Sequence, residues 1–395
     1  MCRGRSSDLF RLCRTFSPRI CPEQWLACDC LWWNLQQRVL FRIRTGFPFH
    51  APRDVAALRL RGNHNTAKLR IISYICRMVT ENLTPRGRFA PSPSGRMHLG
   101  NVFTAMMSWL SVKSRGGEWV LRIEDLDPQR SKTEHARMIE DDLLWLGLEW
   151  DEGGLADKGT AGPYSQSRRG EIYEEYLHRL EATGMVYPCR CRRADILATQ
   201  APHRSDGRVV YAGTCRPSRL GGHLPDDAPA AGAALRLFVP DREIRFRDLV
   251  CGDQCFPLAA ECGDFIVRRA DGAWAYQLAV VVDDALMGIT EVARGNDLLL
   301  STAQQIYICG LLGFPVPEYA HLPLVCTAQG LRLSKRDSAM SMEELRRRHT
   351  PESLLGKLAC LAGLIPEEAP MTPRQLLPFF RWPEGKETLQ LGENS

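Results

Sequence analysis

The sequence predicts an α/β protein whose parallel sheet is wound by right-handed crossovers. Three observations lead there. Residues 88–146 alternate strand-like and helix-like runs in close order. The second strand run, 119–123, is apolar enough to be buried on both faces, as strands of parallel sheets are. The same alternation resumes after Asp264, beyond a stretch rich in Cys, Gly and Pro.

The elements follow in order. Residues 88–90 read as a short strand, and Pro91-Ser92-Pro93-Ser94-Gly95 as a turn. A helix runs from Leu99 to about Ser114, stopped by Arg115-Gly116-Gly117. Strand 119–123 carries Glu124-Asp125 at its carboxyl end. Ser131 reads as the cap of a helix reaching Leu146, with Glu134 three residues on completing a capping box. Residues 265–268 form a strand, and the apolar run 276–282 ends in Asp283-Asp284. A strand at 289–292 leads to Arg294-Gly295, and a helix from Thr302 to Leu312 closes at Gly313 and Pro315. Near the end, 343–348 and 351–363 read as a helix pair.

Composition bounds the answer. The 395 residues are 44% hydrophobic and 25% charged, as in ordinary globular proteins. Net charge is +5, from 51 Lys+Arg against 46 Asp+Glu. Residues 1–77 hold 14 of the former and 4 of the latter, so they carry +10 and the remainder −5. That segment also has six of the fifteen cysteines and no persistent periodicity, and reads as a disordered or non-native extension. A basic RNA-binding arm is its functional alternative. No run approaches the ~18 apolar residues of a membrane span. The odd, irregularly spaced cysteines point to a reduced, cytoplasmic compartment rather than a disulfide framework.

In parallel sheets ligands bind outside the carboxyl ends of the strands, where His98 and Glu124 would lie. His98 and Gly100 open a helix, whose N-terminal N–H groups and partial positive charge suit phosphate. Gly100 permits close approach to the backbone. Far downstream, Leu331-Arg332-Leu333-Ser334-Lys335-Arg336-Asp337 offers a lysine to a phosphate chain. Together these motifs point to activation of a substrate by ATP.

Four blocks in one order resemble the class I glutamyl- and glutaminyl-tRNA synthetases. They are 88–95 with His98-Leu99-Gly100-Asn101; Arg122-Ile123-Glu124-Asp125-Leu126-Asp127-Pro128; Val281-Val282-Asp283-Asp284 with 287–290 and Arg294-Gly295; and Leu333-Ser334-Lys335. The resemblance covers about 88–340 and implies a Rossmann-type catalytic domain. It would comprise 86–186 and 263–340, interrupted by a small inserted domain at 187–262. Only 58 residues follow Asp337. A helical tail at 341–395 is therefore expected in place of an anticodon-binding domain. This resembles the truncated glutamyl-queuosine tRNA(Asp) synthetase branch.

The resemblance implies roles. Arg88, Phe89, Ala90, Pro91, Ser92, Glu124, Tyr276 and Arg294 would bind L-glutamate. Arg88 and Arg294 suit its side-chain carboxylate, which a guanidinium can hold with two hydrogen bonds, and Glu124 suits its ammonium. His98, Gly100 and Lys335 would bind ATP with Mg2+, and His98, Asn101 and Lys335 would serve catalysis. Asn101 stands where the family has a second His. Asp283 and Asp284 would brace the site or touch the ATP ribose. Cys189, Cys191, Tyr211 and Cys215 match a structural zinc site, for which three thiolates and a phenolate are suitable ligands. His203 competes as a ligand, and Cys251, Cys255 and Cys262 form a rival group. The RNA partner would be queuosine-modified tRNA(Asp), met by a monomer with no membrane contact. A truncated synthetase charging the 3′ end of tRNA(Glu), or a non-catalytic RNA-binding paralogue, stands as the alternative.

Overall fold

The computed structural model describes residues 84–192, 210–217, 232–326, 340–383 and 388–390. The main sheet has seven strands: β1 (Arg86–Phe89), β2 (Glu118–Leu121), β3 (Glu152–Gly153), β6 (Glu243–Asp248), β7 (Gly252–Pro257), β9 (Glu291–Gly295) and β10 (Glu318–Leu322). Their order across the sheet is β3-β2-β1-β9-β10-β6-β7. Every neighbouring pair is parallel except the hairpin β6–β7.

Helix α1 (Leu99–Lys113) crosses from β1 to β2 and is buried along most of its length. Trp119, Val120 and Leu121 of β2 are fully buried, as the apolar run requires of an internal parallel strand. Strand β2 ends two residues earlier than the apolar run predicts. Arg122 N–H still bonds Phe89, but Ile123 N–H turns to Tyr164. Helix α2 (Thr133–Trp145) begins two residues past the expected cap. Ser131 N–H bonds Asp127 in the preceding turn, so Ser131 is outside the helix and Lys132 holds the cap position with no side-chain bond.

Helix α3 (Gly170–Glu181) leads to a second sheet, in which β4 (Val186–Cys189), β5 (Ala234–Leu237) and β8 (Phe265–Arg268) pair antiparallel. A short helix α4 (Leu258–Glu261) follows β7. The β6–β7 hairpin lies between β5 and β8 in the chain yet extends the main sheet. The apolar run after residue 276 is helix α5 (Tyr276–Leu286). Its closing turn uses the Ile289 N–H, bonded to Asp284, so β9 starts later than the apolar pattern indicates. Helix α6 (Leu299–Leu312) ends at Gly313, whose φ of 70° is the left-handed conformation that closes a helix. The tail holds β11 (Leu324–Cys326), α7 (Met342–Arg348), α8 (Pro351–Leu361), α9 (Pro373–Leu376) and β12 (Thr388–Gln390), with β11 and β12 parallel. Leu354, Leu355 and Leu358 of α8 join the same apolar core as α1. No helix among the described residues is long and apolar enough to cross a membrane.

Candidate active site

A cavity of about 310 Å³ opens at the carboxyl ends of β1 and β9. Arg88, Glu124, Tyr276 and Arg294 line it, together with Phe89, Ala90, Pro91 and Ser92. His98, Gly100 and Asn101 line it from the start of α1. Residues spread over two hundred positions meet here because β1 and β9 are neighbours in the sheet. Strand ends then deliver their side chains to one edge.

Beneath the cavity lies a buried ionic cluster. Asp284 Oδ1 accepts from Arg122 Nη1 at 2.6 Å and from Arg88 Nε at 3.3 Å. Arg122 Nη2 donates to Glu124 Oε1 at 3.0 Å. Asp283 accepts from Arg169 Nε at 2.6 Å, Gln166 Nε2 at 2.8 Å and the Tyr173 hydroxyl at 2.9 Å. These two carboxylates are spent on protein partners. They brace the arginines below the cavity, and neither lines it. Burial pushes the Asp284 carboxyl up, but the charges of Arg122 and Arg88 prevail and hold it below the ordinary value. At Glu124 the balance reverses: burial outweighs Arg122 and Arg88, and its carboxyl is raised. Burial also raises the Tyr276 phenol.

Arg294 has a different kind of support. Its Nε donates to His321 Nε2 at 3.2 Å and its Nη2 to the Thr302 hydroxyl at 2.5 Å. The guanidinium lies over the Tyr319 ring, 5.4 Å from its centre. Nη1 is buried with no hydrogen-bond partner among the described residues. An unsatisfied buried donor is costly unless a ligand accepts from it, and a carboxylate oxygen is the matching acceptor.

The start of α1 is capped by its own side chains. His98 Nδ1 accepts from Gly100 N–H at 3.1 Å, and Asn101 Oδ1 accepts from His98 N–H at 3.1 Å. The helix therefore does not present the Gly100 N–H to a phosphate, because His98 occupies it. With Nδ1 accepting, the ring proton sits on Nε2. A Cβ at residue 100 would come within 3.1 Å of the His98 ring, so the glycine serves the ring's position. Asn101 completes the reciprocal cap.

The sequence matches the tRNA synthetases class I (E and Q), catalytic domain, over residues 85–372. The chain belongs to this family. Among curated proteins it is 49% identical over 298 residues to the "Glutamyl-Q tRNA(Asp) synthetase" of Symbiobacterium thermophilum, covering 74% of this chain and 91% of that one. It is 46% identical over 277 residues to "Glutamate--tRNA ligase 2" of Alkalilimnicola ehrlichii, covering 69% and 58%. Among solved structures, a glutamate tRNA ligase from Elizabethkingia meningosepticum in complex with its amino acid superposes with a TM-score of 0.68 at 28% identity. That match covers 79% of this chain and 68% of the other.

The cysteines sort themselves. Sulfur atoms of Cys189, Cys191 and Cys215 lie within 4.8 Å of one another. The Tyr211 hydroxyl is 3.4 Å from Cys189 Sγ and 3.8 Å from Cys191 Sγ. Backbone N–H of Cys215 donates to that hydroxyl at 2.7 Å, and Arg236 lies 3.8 Å over the Tyr211 ring. Three clustered sulfurs with a phenol oxygen beside them are a suitable donor set for a tetrahedral divalent ion, and Arg236 offsets the negative charge such ligands bring. Burial pushes the Cys215 thiol up, yet the Arg190 N–H and neighbouring donors bring it down to about 7. The rival thiols do not gather. Cys251 Sγ faces the His321 carbonyl and Cys262 Sγ the Leu258 carbonyl. His203 lies outside the described residues, as does Lys335 with its motif.

Asp248, Thr302 and His321 escaped the sequence reading. Asp248 falls in the stretch that reads as an insertion, Thr302 at the start of an expected helix and His321 in a run without an assigned element, and no short spacing links them. The one available signal was polarity: His321 interrupts the apolar stretch of 319–325.

Proposed function

We propose that this chain activates L-glutamate with ATP and transfers the glutamyl group to the queuosine base in the anticodon loop of tRNA(Asp). Glutamate lies in the cavity with its side-chain carboxylate at the guanidinium groups of Arg294 and Arg88. Its ammonium sits at Glu124, and the Tyr276 hydroxyl and residues 89–92 complete the walls. A glutamine side chain would set an amide N–H₂ against a guanidinium donor, which excludes it. The α-carboxylate attacks the α-phosphate of ATP, forms a C(O)–O–P bond and releases pyrophosphate. His98 Nε2–H and Lys335 stabilise the growing phosphate charge beside Gly100, and Asn101 holds His98 in place. Mg2+ bound with the nucleotide supplies further charge neutralisation. A cyclopentenediol hydroxyl of queuosine then attacks the adenylate carbonyl and displaces AMP, leaving an ester on the base.

Zn2+ held by Cys189, Cys191, Tyr211 and Cys215 is structural in this reading, tying β4 to the 210–217 segment. The protein acts as a cytoplasmic monomer. Its cysteines support a reduced setting, for none of the nine among the described residues is in a disulfide.

The observation that carries the reading is Arg294, which lines the cavity beside Glu124 and the His98 helix start and keeps a buried Nη1 donor without a partner among the described residues. The likeness to the Symbiobacterium protein supports tRNA(Asp) as the RNA. A second reading, esterification of a tRNA 3′ end, has support in the likeness to the Alkalilimnicola ligase.

One experiment separates them. Radiolabelled glutamate is offered with ATP to tRNA(Asp) carrying or lacking queuosine. Label on the queuosine-bearing RNA that survives periodate oxidation of the 3′ diol, and tracks the anticodon-loop fragment, is expected. Label on the 3′-terminal adenosine overturns the transfer step in favour of the second reading.

A further inference from the structure

Arg294 lies at a cavity wall, but the groups that aim it lie behind it on two other strands and a helix. In the β9–β10 ladder Arg294 stands directly opposite His321, and Tyr319 of β10 stands opposite Asp248 of β6. Tyr319 and His321, two apart on one strand, share a face, their rings stacked 6.0 Å apart. His321 Nδ1 is 2.6 Å from Asp248 Oδ2. His321 Nε2 is 3.2 Å from Arg294 Nε and 2.8 Å from the Thr302 hydroxyl. Asp248, Thr302 and His321 are 2% exposed or less.

We infer that Asp248 and His321 are positioning residues for Arg294: the carboxylate holds His321 as the neutral Nδ1–H tautomer, so that Nε2 accepts from Arg294 and fixes its guanidinium at the cavity wall for the substrate carboxylate. The inference rests on the glutamate reading for the identity of that carboxylate.

The hydrogen-bond roles leave little choice. A guanidinium N–H can only donate, so Nε2 must accept. The ring proton then sits on Nδ1, where a carboxylate oxygen receives it. Asp248 is itself held in one orientation. Its Oδ1 accepts the backbone N–H groups of Val250 at 2.9 Å, Cys251 at 2.8 Å and His321 at 3.1 Å, which leaves Oδ2 for the imidazole. The charged groups acting on the ring are Asp248 from β6, Arg294 from β9 and, at longer range, Arg88 from β1. Burial dominates and keeps the imidazole below its ordinary value, as a neutral ring requires. A protonated ring would put a donor against Arg294.

That geometry makes Asp248→Asn an informative change. The three backbone donors require an oxygen at the Oδ1 place, so the new amide nitrogen must occupy the Oδ2 place. It donates to His321 Nδ1, the ring proton moves to Nε2, and Arg294 loses its acceptor. Shape and volume are nearly unchanged.

The test has two arms on the intact chain. In the first, protein carrying 15N-histidine is measured by long-range 1H–15N correlation, with the His321 signals assigned from their loss in His321→Gln. Wild type should show the Nδ1–H tautomer, and Asp248→Asn the Nε2–H tautomer. In the second, ATP–pyrophosphate exchange should show a glutamate KM raised about tenfold or more in Asp248→Asn, as for a lost hydrogen bond to a charged group. The KM for ATP should stay unchanged. Thr302→Val, which removes the acceptor of Nη2, should raise the glutamate KM likewise, and Thr302→Ser should restore it. These two keep the kinetic arm decisive if Asp248→Asn fails to fold.

A wild-type Nε2–H tautomer or imidazolium overturns the inference whatever the substrate is. So does a flipped tautomer with an unchanged glutamate KM, or a Thr302→Val variant that binds glutamate normally. Wild-type protein with the Nδ1–H tautomer but no glutamate-dependent exchange would instead overturn the substrate reading and leave the Asp248–His321–Arg294 arrangement standing.

Discussion

Asp284 of helix α5 reaches Arg88 of β1 across 196 positions of sequence, Oδ1 to Nε at 3.3 Å, and the same oxygen also holds Arg122 at 2.6 Å. One carboxylate atom thus ties two buried guanidinium groups, and one of them lines the cavity.

Replacing Asp284 by Asn should be costly. Removing one partner of a buried ion pair leaves an uncompensated charge, a loss of about 3 kcal/mol or more. The urea midpoint of unfolding should fall accordingly, and the glutamate KM should rise because Arg88 loses its brace. An unchanged midpoint with a raised KM for ATP would mean that Asp284 touches nucleotide instead.

Lys335→Ala should lower glutamate-dependent ATP–pyrophosphate exchange by about 100-fold, the usual scale for loss of one charge contact made in the transition state. Thermal unfolding should be unaltered. Equal exchange rates for the two proteins would remove Lys335 from the reaction.

The thiol cluster makes its own prediction. Purified protein should contain about one zinc per chain, and Cys215→Ser should lose it. Tyr211→Phe keeps the ring under Arg236 but removes the oxygen, so its zinc affinity should drop by on the order of tenfold or more. Metal analysis after dialysis against a graded chelator measures both. A Tyr211→Phe protein that retains zinc as tightly as wild type would leave the three sulfurs as the ligand set.

His321 adds a pH dependence to stability. Its folded value is depressed by burial, while in the unfolded chain it takes up a proton near the ordinary ~6.5. As pH falls through about 6.5 the unfolded state therefore binds more protons, and stability declines with acidification until the folded ring also protonates. The melting temperature of wild type between about pH 7.5 and 5 should fall more steeply than that of His321→Gln, which lacks the group. Parallel slopes would show that His321 takes up its proton equally in the folded and unfolded chain, and a shallower wild-type slope that the folded ring is already protonated.

The local parts of the site were legible in the residues themselves. A strand end, a Pro-, Ser- and Gly-rich turn and a helix start occupy one short stretch, 86–101, so their relation depends on short-range geometry. The strand-end rule of parallel sheets pointed to His98 and Glu124, whereas Arg88, Tyr276 and Arg294 were joined to them only by the resemblance to the class I synthetases. The cysteine pattern was readable for a local reason: Cys189 and Cys191, and again Tyr211 and Cys215, are close in sequence. Capping chemistry was harder. Whether Ser131 or Lys132 held the helix start depended on a turn hydrogen bond to Asp127. The partner of each buried charge was settled by tertiary structure alone. Asp283 and Asp284 are adjacent in sequence, yet one faces Arg169 and Tyr173 and the other Arg88 and Arg122, because successive residues of a helix point about 100° apart. Asp248 meets His321 because β6 pairs beside β10, and a strand order of β9-β10-β6 leaves no trace in local pattern. Periodicity reports which side of an element is buried. Which charge it meets there is decided by sheet order, and sheet order is set by the packing of the whole.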